Sequence, residues 1–152
     1  MAVTRRGVPR ERVLLLMRHG HAENHHDDRQ RPLSEHGRAA ARGTANALRE
    51  RGLVAERILS SEALRARQTA ELVAEAWGHS LAIEIEPSLY LATSEQIRAV
   101  LARLRADILS ILLVGHNPGL SAFARDLGAH GCTLSPAEYA LLRPELDDWS
   151  QL

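Results

Sequence analysis

Hydrophobic and polar positions along this chain fall into blocks whose period switches between that of strands and that of helices. Val13-Leu14-Leu15-Leu16-Met17 is an unbroken apolar run ending in Arg18-His19-Gly20. A strand buried on both faces of a parallel sheet requires such a run. Far downstream, Ile111-Leu112-Leu113-Val114 ends in the same manner, in Gly115-His116-Asn117-Pro118. Each run delivers a histidine to the carboxyl end of a strand, where open α/β sheets place their ligands.

Between these runs the pattern alternates. Residues 21–32 are too rich in His, Asp, Asn and Arg for a core and read as a loop. Ser34 is a plausible N-cap for a helix in which Ala41, Ala45 and Leu48 recur at helical spacing up to Gly52. Residues 57–60 read as a short strand, and Ala66, Ala70, Val73 and Trp77 mark one face of a second helix that stops at Gly78. A third strand is predicted over residues 81–85, with Pro87 at its exit. Ile97, Val100, Leu101 and Leu104 define a third amphipathic helix.

Residues 110–114 form the fourth predicted strand. Asn117 then reads as an N-cap with Pro118 at the first helical position. Leu120, Phe123, Ala124 and Leu127 form that helix's apolar face before Gly128, and residues 138–143 suit a last edge strand. Regular β-α alternation predicts a three-layer α/β/α sandwich with a mostly parallel central sheet. It is read as one domain over residues 11–152. Residues 1–10, where Arg5, Arg6 and Arg10 surround Gly7 and Pro9, are read as a flexible N-terminal segment.

Composition narrows the chemistry. A chain of 152 residues with 45% hydrophobic content suffices for one well-filled core. With 19 basic and 19 acidic residues the net charge is zero, so no nucleic-acid partner is expected. Every basic residue among those 19 is arginine. The lack of lysine rules out Schiff-base chemistry and a Walker-type phosphate loop. Cys132 is the only cysteine, which rules out intrachain disulfides and thiolate metal clusters. No segment approaches the roughly 18 apolar residues of a membrane span, and the first residues do not resemble an export signal. A cytoplasmic protein without a membrane partner is expected.

A histidine at a strand end, followed by glycine, can act as a neutral nucleophile if a backbone carbonyl holds its other ring nitrogen. Alone, His19 or His116 would more simply be an ordinary buried or solvated histidine. Arg18 beside His19 shifts the balance, because the planar guanidinium fork matches phosphate oxygens. A further source of partners is Ser60-Ser61-Glu62-Ala63-Leu64-Arg65-Ala66-Arg67, at the second strand–helix junction. Arg65 and Arg67 lie two apart and face different ways on a helix, so one of them is expected at the site.

Three motifs in order carry a resemblance over nearly the whole chain: Arg18-His19-Gly20, then Ser60-Ser61-x-x-Leu64-Arg65-Ala66, then Gly115-His116-Asn117. Together they resemble the histidine phosphatase superfamily, also called phosphoglycerate-mutase-like. The Arg31-Pro32-Leu33-Ser34-x-x-Gly37 segment and the Val114-Gly115-His116-Asn117-Pro118 form look most like its small SixA-type branch of protein phosphohistidine phosphatases. The resemblance implies that His19 attacks phosphorus and is transiently phosphorylated. Arg18, Arg65 and His116 would surround the phosphoryl oxygens, with Gly20 and the loop residue Asn24 as further binding positions and Arg67 as surface or support. A unit-charge contact at about 4 Å is worth on the order of 4 kcal/mol at an effective dielectric near 20, so several together can stabilise phosphoryl transfer without a metal. The helix after Asn117 would add its positive end. No cofactor and no metal are implied.

Two departures from the wider family bear on substrate. Glu62 stands where many members have proline. Alcohol-releasing members carry a glutamate proton donor shortly after the third strand, whereas Glu86-Pro87-Ser88-Leu89-Tyr90-Leu91-Ala92-Thr93 has no acid after Leu89. An alkoxide leaving group needs a proton; an imidazole already protonated on its other nitrogen needs less help. The gap favours a phosphohistidine-bearing protein as substrate over a small phosphorylated metabolite, unless Glu86, Glu95 or Glu62 substitutes. The chain also has little room for lid insertions, and an open site suits a protein partner. Two rival readings remain, a non-catalytic phosphate-binding module and a metal hydrolase. In the second, His21, His25, His26, Asp27 and Asp28 would supply ligands. A solvated rim is the simpler expectation for that loop.

Overall fold

A computed structural model describes residues 10–78 and 83–152. The central sheet has the order β4-β3-β5-β2-β6. Its strands are β2 (Val13–Arg18), β3 (Arg57–Ser60), β4 (Glu84–Ile85), β5 (Ser110–Gly115) and β6 (Tyr139–Leu142). β2, β3, β4 and β5 run parallel, and β6 adds an antiparallel edge against β2. Four helices cover the sheet: α1 (Glu35–Glu50), α2 (Leu64–Trp77), α3 (Ser94–Ala102) and α4 (Gly119–Asp126). The predicted three-layer α/β/α sandwich is the observed fold.

The layers follow from side-chain alternation along the strands. Leu15, Met17, Ile58, Leu112 and Val114 face α1 and α2, where Ala41, Ala45, Leu48, Ala70 and Val73 join the same buried cluster. Leu14, Leu16, Leu59, Ile111 and Leu113 face α3 and α4, against Ile97, Val100, Leu101, Leu120 and Phe123. Two packed faces explain why β2 and β5 read as continuous apolar runs rather than alternating ones.

The elements differ from the sequence expectations mainly at their ends. Arg10, placed in the flexible segment, belongs to a short strand, β1 (Arg10–Glu11), paired antiparallel with β7 (Glu145–Leu146); residues 1–9 lie outside the described residues. Of the strand predicted over 81–85, Glu84–Ile85 is strand and Ile83 is not, while residues 81 and 82 lie outside the described residues. The predicted edge strand shortens to Tyr139–Leu142. Helix α3 stops at Ala102, and Leu104 packs on the core from beyond it. Ser34 is the N-cap of α1 as expected, its hydroxyl accepting from the Gly37 N–H.

Helix α4 departs in a way that touches the site. It starts at Gly119 with Pro118 as its cap residue, so Pro118 is not the first helical residue. The peptide bond between Asn117 and Pro118 is cis. Asn117 still performs capping chemistry one position early, since its Oδ1 accepts from the Ser121 N–H and hydroxyl.

Two close backbone approaches hold the connections around the strand ends. A Cβ on Gly119 would stand 1.8 Å from the Ala92 carbonyl oxygen, and one on Gly37 2.1 Å from that of His21. Neither neighbour is a side chain that can turn aside. Gly37→Ala is therefore expected to cost about 1–3 kcal/mol through backbone displacement, measurable as a lower urea midpoint. A midpoint equal to that of the unaltered protein would show that this approach is not a constraint.

Candidate active site

Parallel pairing of β2 with β5 sets Arg18 opposite Gly115, and pairing of β3 with β5 sets Ser60 opposite Val114. The ladder continues past the strand ends: the His19 N–H donates to the Gly115 carbonyl, and the Ser61 N–H to that of Val114. His19, Ser61 and His116 thus emerge side by side, with the two imidazole centroids 5.1 Å apart. The two histidines open into a cavity of about 460 Å³ that Arg18, Arg31 and Arg65 also line.

His19 is held as a neutral nucleophile would need to be. Its Nδ1 lies 2.7 Å from the Gly20 carbonyl oxygen. A carbonyl only accepts, so Nδ1 carries the proton and Nε2 keeps its lone pair. Arg65 Nε–H points at that lone pair from 3.4 Å. Burial, with added repulsion from Arg65, Arg18 and Arg31, lowers the pKa of His19 to about 4 despite the Gly20 hydrogen bond. Gly20 is itself fixed by its N–H donating to Thr69 Oγ1, whose hydroxyl donates to the Arg65 carbonyl.

His116 shows the opposite tautomer. Arg65 Nη2 lies 3.4 Å from its Nδ1, and its Nε2 lies 2.7 Å from Ser61 Oγ. Arginine only donates, so Nε2–H donates to Ser61 and Nδ1 faces the guanidinium. Burial first, then the proximity of His19 and Arg65, lowers its pKa to about 3.

Arg65 joins these groups from the first turn of α2, where its side chain is 3% exposed. Besides both histidines, it donates through Nη1 to the Asp28 carbonyl at 2.7 Å and through Nη2 to Asp28 Oδ2 at 3.1 Å. Arg18 is aimed by donating from Nη1 to the Leu134 carbonyl, which Asn117 Nδ2 shares. Arg67, two residues on, turns away and donates to the Glu62 carbonyl.

The loop after His19 departs most from expectation. An isolated bridge between Ala22 and Leu33 and a hydrogen bond from Glu23 N–H to the Pro32 carbonyl close its base. Beyond that base Asn24, expected as a binding position, is exposed and stands off the cavity lining. The loop's short 3₁₀ turn at Asp28–Gln30 returns Asp28 to the cavity, and Arg31 follows. Gly20 is likewise off the lining; its carbonyl and N–H hold the His19 ring instead. The helical positive end is also less available than expected. The α4 N–H groups of Leu120, Ser121 and Ala122 already donate to His116 O, Asn117 Oδ1 and Pro118 O.

The rival metal ligands do not converge. His21 Nδ1 pairs with Ser34 Oγ, His25 Nδ1 accepts from the Asp27 N–H, and Asp28 engages Arg65. Among the described residues no group of three or more His, Cys, Asp or Glu side chains is placed to hold a metal ion. Nor is any described helix long and apolar enough to cross a membrane.

Asp28, expected only as a metal ligand or part of a solvated rim, and Tyr90, given no role by the sequence, both line the cavity. Tyr90 donates its hydroxyl to Asp28 Oδ2 and sets its ring edge-on to His116, centroids 5.5 Å apart. Arg31 Nη1 lies 3.4 Å from Asp28 Oδ1. The Tyr90 hydrogen bond, followed by the Arg65 contacts, lowers the Asp28 pKa to about 2 against some desolvation. No local sequence signal marks either residue, because the pairing joins positions 62 apart.

Among the described residues, three cavity arginines against one carboxylate leave two positive charges, matched to a phosphoryl dianion. Residues 14–90 match the model of the histidine phosphatase superfamily (branch 1). An uncharacterized chloroplastic protein of Arabidopsis thaliana is 31% identical over 152 residues, covering 92% of this chain and 70% of that protein. The chain belongs to the histidine phosphatase superfamily. Its fold also resembles the protein histidine phosphatase SixA, solved with tungstate, with a TM-score of 0.78 and 28% identity over 85% of this chain and 86% of that one. A mycobacterial glucosyl-3-phosphoglycerate phosphatase, 20% identical, shares the fold at a TM-score of 0.71 over 91% of this chain and 93% of that one.

The two depressed histidines should be visible in solution. Proton NMR titration of the free protein is expected to give midpoints well below the usual histidine value of about 6.5, near 4 for His19 and near 3 for His116. Because unfolding lets both rings take protons first, stability should fall as pH drops from about 6.5 toward 4. Midpoints at 6 or above would contradict the geometry.

Proposed function

We propose that this protein is a metal-independent phosphatase that removes the phosphoryl group from phosphohistidine on a partner protein through a phospho-His19 intermediate. Arg18, Arg65 and His116 hold the phosphoryl oxygens, with Arg31 as a fourth contact. The observation that carries the substrate class is the state of the cavity's carboxyl group. Asp28 is the one Asp or Glu among the described residues lining the cavity, and with a pKa of about 2 it has no proton to give. The candidate substitutes lie elsewhere: Glu62 pairs with Arg29, Glu86 with Arg103, and Glu95 sits exposed in the first turn of α3.

A cavity whose carboxylate has no proton to give suits a leaving group that does not need one from it. In the first step His19 Nε2 attacks phosphorus in line. The P–N bond breaks, and its electron pair goes to the leaving ring nitrogen while that ring keeps the proton on its other nitrogen. His19 becomes phosphorylated on Nε2 with Nδ1–H still on the Gly20 carbonyl. Water then attacks phosphorus, the electron pair returns to Nε2, and phosphate leaves as the monoanion with both protons of the water. As charge builds on the phosphoryl oxygens, Arg18, Arg31 and Arg65 are already in place, so little reorganisation is needed. A bound dianion also raises the proton affinity of His116, turning Nδ1 from an acceptor into a donor.

The mouth of the cavity supports a protein as the phosphoryl carrier. The connection from β4 to α3 is brief, residues 86–93, and carries only a 3₁₀ turn at Pro87–Leu89 beside the site. No long insertion from this side stands between the cavity and a macromolecular partner.

The test is a substrate panel comparing several phosphohistidine carrier domains with sugar phosphates and nitrophenyl phosphate. The carrier domains should be turned over at the highest kcat/KM, with activity unchanged by a strong chelator. His19→Ala should abolish turnover of all substrates while remaining folded, and acid quenching of the unaltered enzyme should trap an acid-labile phospho-His19. Preference for a sugar phosphate would instead assign a small phosphomonoester, and substantial turnover by His19→Ala would overturn the mechanism.

A further inference from the structure

A permanently ionised carboxylate is an unusual lining for a cavity that receives a dianion. Asp28 stands among Arg18, Arg31, Arg65, His19 and His116, with its side chain 46% exposed. At contact distances its repulsion of a phosphoryl group is worth as much as one arginine's attraction. Holding Arg65 in place does not require it, because Arg65 already donates to His19, His116 and the Asp28 backbone carbonyl. The carboxylate is nonetheless built in. A 3₁₀ turn capped by the Asp27 side chain presents it, Tyr90 donates to it, and Arg29 packs over the Tyr90 ring with its Cζ 4.1 Å from the ring centroid. Glu62 in turn fixes Arg29 through a contact at 3.0 Å.

The transfer proposed above is nearly symmetric, since the phosphoryl group passes from one imidazole to another. In each ring the nitrogen remote from phosphorus must carry a proton for the P–N bond to break toward a neutral imidazole. The enzyme's own ring has an acceptor for that N–H, the Gly20 carbonyl at 2.7 Å. The substrate's ring needs one too. Arg65 lies between the candidates: its Nε faces His19 Nε2, while Nη1 and Nη2 face Asp28. Asp28 is thus separated from the attacking nitrogen by the width of a guanidinium group, and both residues line the cavity of about 460 Å³ in which a phosphoryl group and the near edge of a leaving ring would sit.

Resting on the phosphohistidine reading, we propose that Asp28 determines leaving-group specificity by accepting a hydrogen bond from the remote N–H of the substrate's imidazole, favouring cationic phosphohistidine and opposing phosphate esters. The P–N electron pair still goes to the ring nitrogen that leaves phosphorus. The proton stays on the remote nitrogen, and Asp28 remains ionised throughout.

The measurement is kcat/KM of Asp28→Asn on two substrates, a carrier domain phosphorylated on histidine and nitrophenyl phosphate, whose leaving group has no N–H. Loss of a charge-assisted hydrogen bond should lower phosphohistidine turnover by about 10- to 100-fold. Removal of the repulsion should raise nitrophenyl phosphate turnover by about 2- to 10-fold. That opposite movement also reports that the variant is folded. Parallel loss on both substrates would overturn the proposal and make Asp28 a positioning residue for Arg65, and no change on either would overturn it too. If the unaltered enzyme hydrolyses nitrophenyl phosphate but not the phosphohistidine carrier, the phosphohistidine reading itself fails and this proposal with it.

Discussion

The parallel hydrogen-bond ladder joining β2 to β5 and β5 to β3 is the constraint on which the site depends. Three strands that end in register bring residues 19, 61 and 116 to one edge, although they are far apart in the chain. The ladder runs one residue further than the strands themselves, through His19 N–H and Ser61 N–H. Backbone therefore fixes where the histidines begin, and side-chain contacts need only turn the rings. Sites carried on strand ends are held more closely than sites carried on loops. The same buried sheet that positions the rings also desolvates them, and desolvation is the first cause of both low pKa values.

Charge in the cavity is arranged around one guanidinium. Arg65 meets both histidines and Asp28, and because arginine can only donate, it dictates the form of each ring nitrogen it faces. His19 Nε2 and His116 Nδ1 both present lone pairs toward it; in the proposed reaction the first attacks phosphorus and the second takes up a proton when a dianion arrives. Neutral histidines keep the resting site from accumulating positive charge beyond what the arginines contribute. The loop across residues 23–32 adds one cation, Arg31, and one anion, Asp28, so it modulates the strand-end site rather than building it.

Much of this was legible in the chain because the information was local. Apolar runs of strand length ending in Arg18-His19-Gly20 and Gly115-His116-Asn117 located both histidines, and period switching located every layer of the sandwich. The i, i+2 spacing of Arg65 and Arg67 predicts that only one of them reaches the site, since that separation on a helix is about 200°, and Arg65 is the one that lines the cavity. Legibility failed where distance in the chain was bridged by side chains. Asn24 lies close to His19 in the chain, but beyond the bridge from Ala22 to Leu33 it is exposed and off the cavity lining, whereas Asp28 and Arg31 of the same loop reach it. Pro118 was read as the first helical residue on propensity, yet the helix begins at Gly119, packed against the Ala92 carbonyl.

By itself the sequence determined the fold class, the two strand-end histidines and the arginines beside them, because hydrophobic period and strand length are properties of consecutive residues. Tertiary structure alone decided which ring nitrogens are free, which backbone groups are already spent and which carboxylate stands in the cavity. Those outcomes depend on hydrogen-bond partners and burial supplied by other elements. The Gly20 carbonyl fixes one tautomer, Ser61 and Arg65 fix the other, and the Tyr90–Asp28–Arg65 contact joins residues from three separate segments.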